Sequence, residues 1–423
     1  MVATADYGSL LLFYQEHLEK TLFPFWRDGA LDHERGGVFT CFSNDGKRLV
    51  STDKYTWSQG RFVWILSRMA EAIRKGLVSG DADACLAHAA KTVQFLKRYA
   101  ILDNGNCAYL LTEDGAKKEA FPGRGHDISL FVDCFVAMGF AEYGRVSGDV
   151  SAAEDALKLF DRLEARIAEG DLRSEPYTLP DGYISHSIPM IMLNVSQVVH
   201  EALSALGHPR AESLSARRIA YAEQILNVFF QPDGTVAEVL RADGTRDEDW
   251  VVSRHLNPGH TLEDMWFLLH EARRTGNSEW VAKIAQAIRK AYEIGWDAEY
   301  GGLLHYVDCD GGKPKGTDRG TAFDANVLGT WDSKLWWIHS ESLYTALLAH
   351  RMTGDEEFEK LYAQTHEYVF RTFPNPDERI GEWIQIRDRD GTPLDKVVAL
   401  PVKDPYHIIR NVLLIIELLA SGR

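Results

Sequence analysis

The feature that most constrains this chain is a turn that keeps returning. A glycine opens a short alternating run that closes in Asp-Gly in GGVFTCFSNDG, GNCAYLLTEDG, GTVAEVLRADG, GGLLHYVDCDG and GEWIQIRDRDG. Asp-Gly supplies the positive φ angles of a tight turn, so each run predicts a short β-hairpin. The closing glycines, Gly46, Gly115, Gly244, Gly311 and Gly391, stand 69, 129, 67 and 80 residues apart. A weaker Asp181-Gly182 divides the long gap into 67 and 62. The chain therefore reads as six repeated units.

Between the turns the apolar residues recur with helical period, as in FVWILSRMAEAI, LFVDCFVAMGFAEYG, IMLNVSQVVHEALSAL, TLEDMWFLLHEARR, LYTALLAHRM and IIRNVLLIIELL. Two helices per unit make about twelve, and stacked helix pairs bury a continuous core only against their neighbours. Closing them into a ring predicts an all-α fold, an (α/α)6 barrel with short hairpins at one end. The inner helices should point their N-termini to that end. An open solenoid is the alternative. No Pro/Ser-rich linker or low-complexity run interrupts the 423 residues, so residues 1–423 are read as a single domain.

Composition narrows the partners. A net charge of −16 repels nucleic acid and anionic membrane surfaces, and neither is expected as a partner. The five cysteines, Cys41, Cys85, Cys107, Cys134 and Cys309, form no CxxC pair, which favours reduced thiols in a cytoplasm over a disulfide framework or zinc site. The start, MVATADYGSLLLFYQEHLEK, reads as an amphipathic helix and not as a signal peptide.

Two stripes carry unexpected charges. In KYTWSQGRFVW, Trp57, Arg61 and Trp64 share one helix face, with a guanidinium between two indoles. In SKLWWIHSESLY, Trp337, Glu341 and Tyr344 repeat the spacing with a carboxylate. A buried Arg61–Glu341 ion pair would explain both. So would a polar pocket floored by aromatic rings, the arrangement that holds sugars. His260, in HLNPGHTLEDMW, and His407, in KDPYHIIR, both fall in or near a helix's first turn, with Asn257 and Pro258 opening one and Asp404 and Pro405 the other. Each has a charged i+3 neighbour, Glu263 and Arg410 respectively. The positive helix end should keep both rings neutral and able to accept a proton. A single histidine so placed is more often structural, and His339 is expected only to orient a neighbour. Asp53, Asp127, Asp133 and Glu382 show no spacing that selects a glycosidase pair and read as caps, turn residues or solvated groups. Dinucleotide, P-loop, nucleophile-elbow and HExxH motifs are absent from the sequence.

Taken together and in order, KYTWSQGRFVW, LFVDCFVAMGFAEY, PMIMLN, NPGHTLEDMWFLL, KLWWIHSE, GEW and YHIIR resemble the N-acylglucosamine 2-epimerase superfamily, which includes cellobiose 2-epimerases and mannose-type aldose–ketose isomerases. The resemblance implies an (α/α)6 barrel, catalytic His260 and His407, and a sugar site formed by Arg61, Asn194, Glu263, Glu341 and Arg410 with Trp57 and Trp337. It implies inversion at C2 through an enediolate, with a small sugar as substrate and neither metal nor redox cofactor; a homodimer is compatible with it. Asn194 lacks the closely following histidine of the cellobiose and isomerase branches, while PMIMLN and NPGH look like the N-acylhexosamine branch. Ile338, Ser340 and the PYH triplet depart from that branch. Small residues such as Ser196 are expected to leave room for an acyl group. The alternatives are an aldose–ketose isomerase, an epimerase of free mannose or cellobiose, a glycoside hydrolase of the same fold, and a non-catalytic binding protein.

Overall fold

The computed structural model describes residues 7–396 and 401–421. The chain starts with α1 (Tyr7–His17), which runs through a π turn at Leu18–Leu22 into α2 (Phe23–Gly29). Helix pairs follow: α3 (Thr56–Arg74) with α4 (Ala82–Tyr99), α5 (Leu130–Ser147) with α6 (Val150–Ala168), and α7 (Ser187–Ala205) with α8 (Ala211–Gln224). After the short α9 (Val251–Arg254) come α10 (Pro258–Thr275) and α11 (Ser278–Gly295). After α12 (Ala322–Thr330) come α13 (Trp336–Thr353) and α14 (Glu356–Thr372), and α15 (Tyr406–Ala420) ends the series.

Helices α3, α5, α7, α10, α13 and α15 pack side by side as the inner ring, each backed by an outer helix. The last inner helix, α15, is covered by α1, so the two ends of the chain complete the sixth pair. The composition of each helix matches its layer. On α5 and α7 most residues are buried, as a helix between a core and an outer layer requires. On α11 and α14 only one stripe is buried. Where α3 meets α5, a Cβ on Gly60 would lie 2.5 Å from the Phe135 carbonyl oxygen, and one on Gly139 would lie 2.4 Å from that of Gly60. Only glycine permits this crossing. None of the described helices is long and apolar enough to cross a membrane.

The turns are where predicted, with Gly115 at φ 92° and Gly311 at φ 84°. The strand pairing differs from a set of isolated hairpins. Among the named strands only β2 (Leu110–Leu111) and β3 (Lys117–Lys118) are two arms of one Asp-Gly turn. Elsewhere a strand entering an inner helix pairs with the run of the next unit. Thus β1 (Lys54–Tyr55) pairs with β2, and β4 (Tyr183–Ser185) with β5 (Val239–Arg241). Likewise β6 (His255–Leu256) pairs with β7 (Val307–Asp308), and β8 (Lys334–Leu335) with β9 (Ile386–Arg387). A bridge between Ser129 and Ser174 and a 2.8 Å bond from Lys403 N–H to the Thr40 carbonyl make the two remaining links. Arms of two or three residues are too short to persist as lone hairpins. Pairing across units satisfies their backbone and ties the ring together at the end where the inner helices begin.

Candidate active site

A cavity of about 740 Å³ opens at that end, lined by the first turns of the inner helices and the loops between them. It brings together most of the residues singled out in the sequence: Trp57, Arg61, Asn194, His260, Glu263, Trp337, His407 and Arg410. Trp337, the second residue of α13, is the hub. Its ring centroid lies 5.3 Å from that of His260 and 5.7 Å from that of His407. Gly259 makes this placement possible, because a Cβ there would come within 2.7 Å of the Trp337 indole.

His260 is held in the first turn of α10, where the Asn257 side chain accepts the N–H groups of Gly259 and His260. Its expected partner, Glu263, points elsewhere. Nδ1 of His260 instead lies 3.1 Å from Oε2 of Glu238, a residue the sequence reading missed. Burial lowers the proton affinity of the ring, but the Glu238 carboxylate more than offsets it, and the pKa is raised from 6.5. The helix end therefore does not govern this ring, contrary to expectation. Burial opposes the charge of Glu238 too, yet His260 and His186 hold its pKa far below the usual range. The available signal was the lone carboxylate in the otherwise apolar run VAEVL.

His407 is the opposite case. Its Nδ1 donates to Oε1 of Glu341 at 2.6 Å. Burial is the main cause pushing its pKa down to about 3; Arg61 and Arg410 act in the same direction, while Glu263 and Asp404 oppose them. Here the expected neutral imidazole is found. Asp404 binds the Tyr406 N–H at 2.9 Å, and α15 starts at Tyr406, so Pro405 precedes the first helical residue and does not occupy it.

The charged stripes do not pair with each other. Arg61 donates to Asp404 and stacks 3.9 Å above the Phe135 ring, with Trp57 at 4.9 Å and Tyr406 at 5.0 Å. Arg61 is thus an ion-paired group at the cavity wall. Glu341, expected to bind substrate, is fully buried and lies outside the lining. It accepts Trp266 Nε1–H at 2.7 Å and Arg410 Nη2–H at 2.6 Å in addition to His407. Burying a carboxylate demands this complete set of donors, so Glu341 orients His407 from beneath. Arg410 also binds Glu263. The ligand atoms of Glu263, Glu341 and His407 lie within 4.8 Å of one another, a grouping that suits a metal ion. Nη2 of Arg410 bonds to both carboxylates and lies 3.4 Å from His407 Nδ1, so the guanidinium already stands where a cation would sit.

Asn194 lines the cavity with its side-chain oxygen buried and without a hydrogen-bond partner among the described residues. Ser196 does not reach the cavity; its hydroxyl binds the Leu193 carbonyl, and the space beside Asn194 is bounded by Met190 and Ile191. His339 is buried, accepting Leu303 N–H at 2.9 Å and bonding to the Leu335 carbonyl at 2.7 Å, which pins a loop to α13. His305 also lines the cavity, and its presence in GGLLHYVDCDG had drawn no functional reading. The four carboxylates set aside stay outside the cavity. Asp133 pairs with Arg166 and Glu382 accepts Trp26 Nε1–H at 2.6 Å, both buried, not solvated as expected. Asp53 pairs with Lys118 and Asp127 with Arg173.

Similarity to known proteins bears on the family and the fold. The profile of N-acylglucosamine 2-epimerase (GlcNAc 2-epimerase) matches residues 37–411. The chain is 31% identical over 403 residues to N-acylglucosamine 2-epimerase of Bos taurus, covering 93% of this chain and 88% of the relative. It is 23% identical over 437 residues to cellobiose 2-epimerase of Eubacterium cellulosolvens, covering 97% and 98%. The solved structure of cellobiose 2-epimerase from Spirochaeta thermophila DSM 6192 superposes with a TM-score of 0.77 at 16% identity, covering 100% of this chain and 99% of that one, which shows the fold.

Proposed function

The chain belongs to the N-acylglucosamine 2-epimerase family, and from that premise we propose that its cavity interconverts N-acylglucosamine and N-acylmannosamine by moving a proton at C2. Inversion requires the open-chain aldehyde, removal of the proton beside it, and its return to the opposite face of a planar enediolate. The observation that carries this reading is the unequal pair of imidazoles beside Trp337. His407 is neutral, with Nδ1–H committed to Glu341, so its Nε2 is free to take a proton. His260, held by Glu238, keeps a proton to give. A two-base inversion starts from one base empty and one loaded, and the roles exchange for the reverse direction.

The enediolate oxygens need positive charge or donors nearby. Arg61 and Arg410 supply guanidinium groups at the wall, each already fixed by carboxylates and so requiring no rearrangement. Asn194 lines the same cavity and brings a side-chain amide to its wall, which suits a polar substituent such as an acylamino group. The greater identity to the N-acylglucosamine relative supports the substrate class. The five cysteines are unpaired and buried, which supports a cytoplasmic setting.

The test is incubation of N-acetylmannosamine, free mannose and cellobiose in heavy water, with products read by NMR. The expected outcome is N-acetylglucosamine carrying deuterium at C2, formed faster than any product of the other two. A ketose product would make the protein an isomerase. Faster turnover of mannose or cellobiose would move it to a neighbouring branch.

A further inference from the structure

Behind His260 lies a row of buried polar groups that the reacting carbon does not touch. His186, at the start of α7, is fully buried. Its Nε2 lies 2.9 Å from Oδ2 of Asp264, and its Nδ1 faces Oε1 of Glu238 at 3.8 Å. Neither of those last two atoms has a hydrogen-bond partner among the described residues. The His186 backbone N–H also donates to the Glu238 carbonyl at 2.9 Å, so the main chain holds the two residues side by side. The other oxygen of Glu238 is the one on His260 Nδ1. Two carboxylates, which only accept, thus flank a single imidazole. Nε2–H is bonded to Asp264, and Glu238 stands 3.8 Å from Nδ1, beyond hydrogen-bond reach but near enough for its charge to favour a protonated ring.

We propose that His186 is a buried imidazolium, charged at neutral pH, which, anchored by Asp264, keeps Glu238 ionised and aimed at Nδ1 of His260, and so is a positioning residue for that proton carrier. The proposal deepens the epimerase reading and rests on His260 handling the C2 proton. Burial opposes the charge on His186, but Asp264 and Glu238 together raise its pKa to about 10; burial also raises the pKa of Asp264, against the pull of His186, so the pair is held by the 2.9 Å contact and not by solvation. His260 is faced by Glu238 from the β5 run, by Glu263 on its own helix, by His186 from α7, by His255 on β6 and by His305 from the loop before β7. Trp337 stands between it and His407. Of these, Glu238 alone hydrogen-bonds to the ring. The arrangement makes Glu238 a fixed charge and not a second titrating group beside the site.

Histidine-labelled protein tests this directly by ¹⁵N NMR, with His186 assigned from its missing signals in H186Q. Both ring nitrogens of His186 are expected to stay protonated from about pH 6 to about pH 9, where an ordinary histidine loses its charge. An unprotonated ring nitrogen at neutral pH overturns the proposal without any reference to activity. In H186Q, kcat should fall about tenfold or more with KM nearly unchanged, the pattern of a misplaced catalytic group. A folded H186Q with wild-type kcat overturns the positioning role. Should H186Q fail to fold, D264N, which keeps an acceptor for Nε2–H while removing one charge, identifies His186 as the ring whose deprotonation it moves to lower pH; a spectrum in which no such histidine titration moves overturns the proposal. H260N run in parallel separates the two layers. Activity surviving there refutes the role of His260 in proton transfer, while the signal of His186 still reports its charge.

Discussion

Oε1 of Glu341 lies 2.6 Å from Nδ1 of His407, and because a carboxylate only accepts, the ring must donate there and keep its lone pair on Nε2. Glu341 in turn is locked by Trp266 and Arg410. The tautomer of this histidine is thereby set by a residue that never meets the substrate. His260 is set in the same manner by Glu238, yet with a different balance, since its proton affinity is raised and that of His407 is lowered.

With one base on each side of C2, H407N and H260N should each lose epimerisation by ~10²–10⁴-fold, the usual worth of a positioned acid or base. Each variant should still exchange the C2 hydrogen of one epimer with heavy water, and the two variants should differ in which epimer that is. NMR of both sugars in both variants checks this. Loss below tenfold in both would remove the histidines from the mechanism.

The pH profile of kcat/KM follows from the two directions. Activity needs His407 unprotonated, so the acid limb should lie well below the ordinary histidine value, towards about 3. It needs His260 protonated, so the alkaline limb should lie above 6.5. E238Q removes the carboxylate that raises His260, and the alkaline limb should then move to lower pH. An alkaline limb unmoved in E238Q would show that another group sets it.

R61M should cost stability as well as activity, unlike the loss of activity alone expected of a guanidinium turned wholly to substrate. Arg61 is buried and ion-paired, and removing one partner of such a pair costs about 3–5 kcal/mol. R61M/D404N should recover much of the melting temperature, since no charge is left stranded, while remaining inactive. Recovery of activity in the double variant would make Arg61 purely structural.

G259A should damage the site without touching a polar group. The added methyl group meets the Trp337 ring and Ile338 at 2.6–2.7 Å, and overpacking of this kind costs about 1–3 kcal/mol. The indole between the two histidines must shift, so kcat should fall while the charged and hydrogen-bonding groups are all retained. Tryptophan fluorescence against turnover measures both effects; normal kcat with a shifted emission would show that Trp337 is dispensable.

Acid should destabilise the fold early. His17 and His366 are lowered to about 4, and His270, His305, His339 and His407 to about 3, mainly by burial. Below about pH 6.5 the unfolded chain binds protons that the folded chain refuses, so the stability these neutral rings contribute is lost as pH falls. His186 has the opposite sign. Its contribution is complete below 6.5 and is lost as pH rises through about 10. The melting temperature should therefore decline on both sides of near-neutral pH, and a scan by calorimetry checks it; constancy down to pH 4 would contradict the buried neutral rings.

The barrel was legible because its signals are local. The Asp-Gly turns, the helical periods and the cap at Asn257 lie within a few residues of what they control, and they survive into the structure almost unchanged, while the expected cap at Asp404 is displaced by one residue. The strand partners were only partly legible, because most of the short runs pair with the next unit as well as, or instead of, closing on their own turn. The site was half legible for the same reason. His260, His407, Arg61, Asn194 and Trp337 stand out through position on a helix start or stripe.

Their partners do not. Glu263 and Glu341 looked alike as acidic residues on inner helices, yet one lines the cavity and the other is buried beneath it. Arg61 and Glu341 looked like each other's counter-ions, yet Arg61 pairs with Asp404, 343 residues away, and Glu341 takes Arg410 and His407. The sequence by itself determined the six helix pairs of the ring, though not the short α2, α9 and α12, and it determined which face of each is apolar and which end carries the turns, since these follow from backbone geometry and burial along a few turns. Only the closed ring decided which charge meets which, because side chains from six different helix starts converge on one cavity and electrostatic partners are chosen by distance in space, not along the chain.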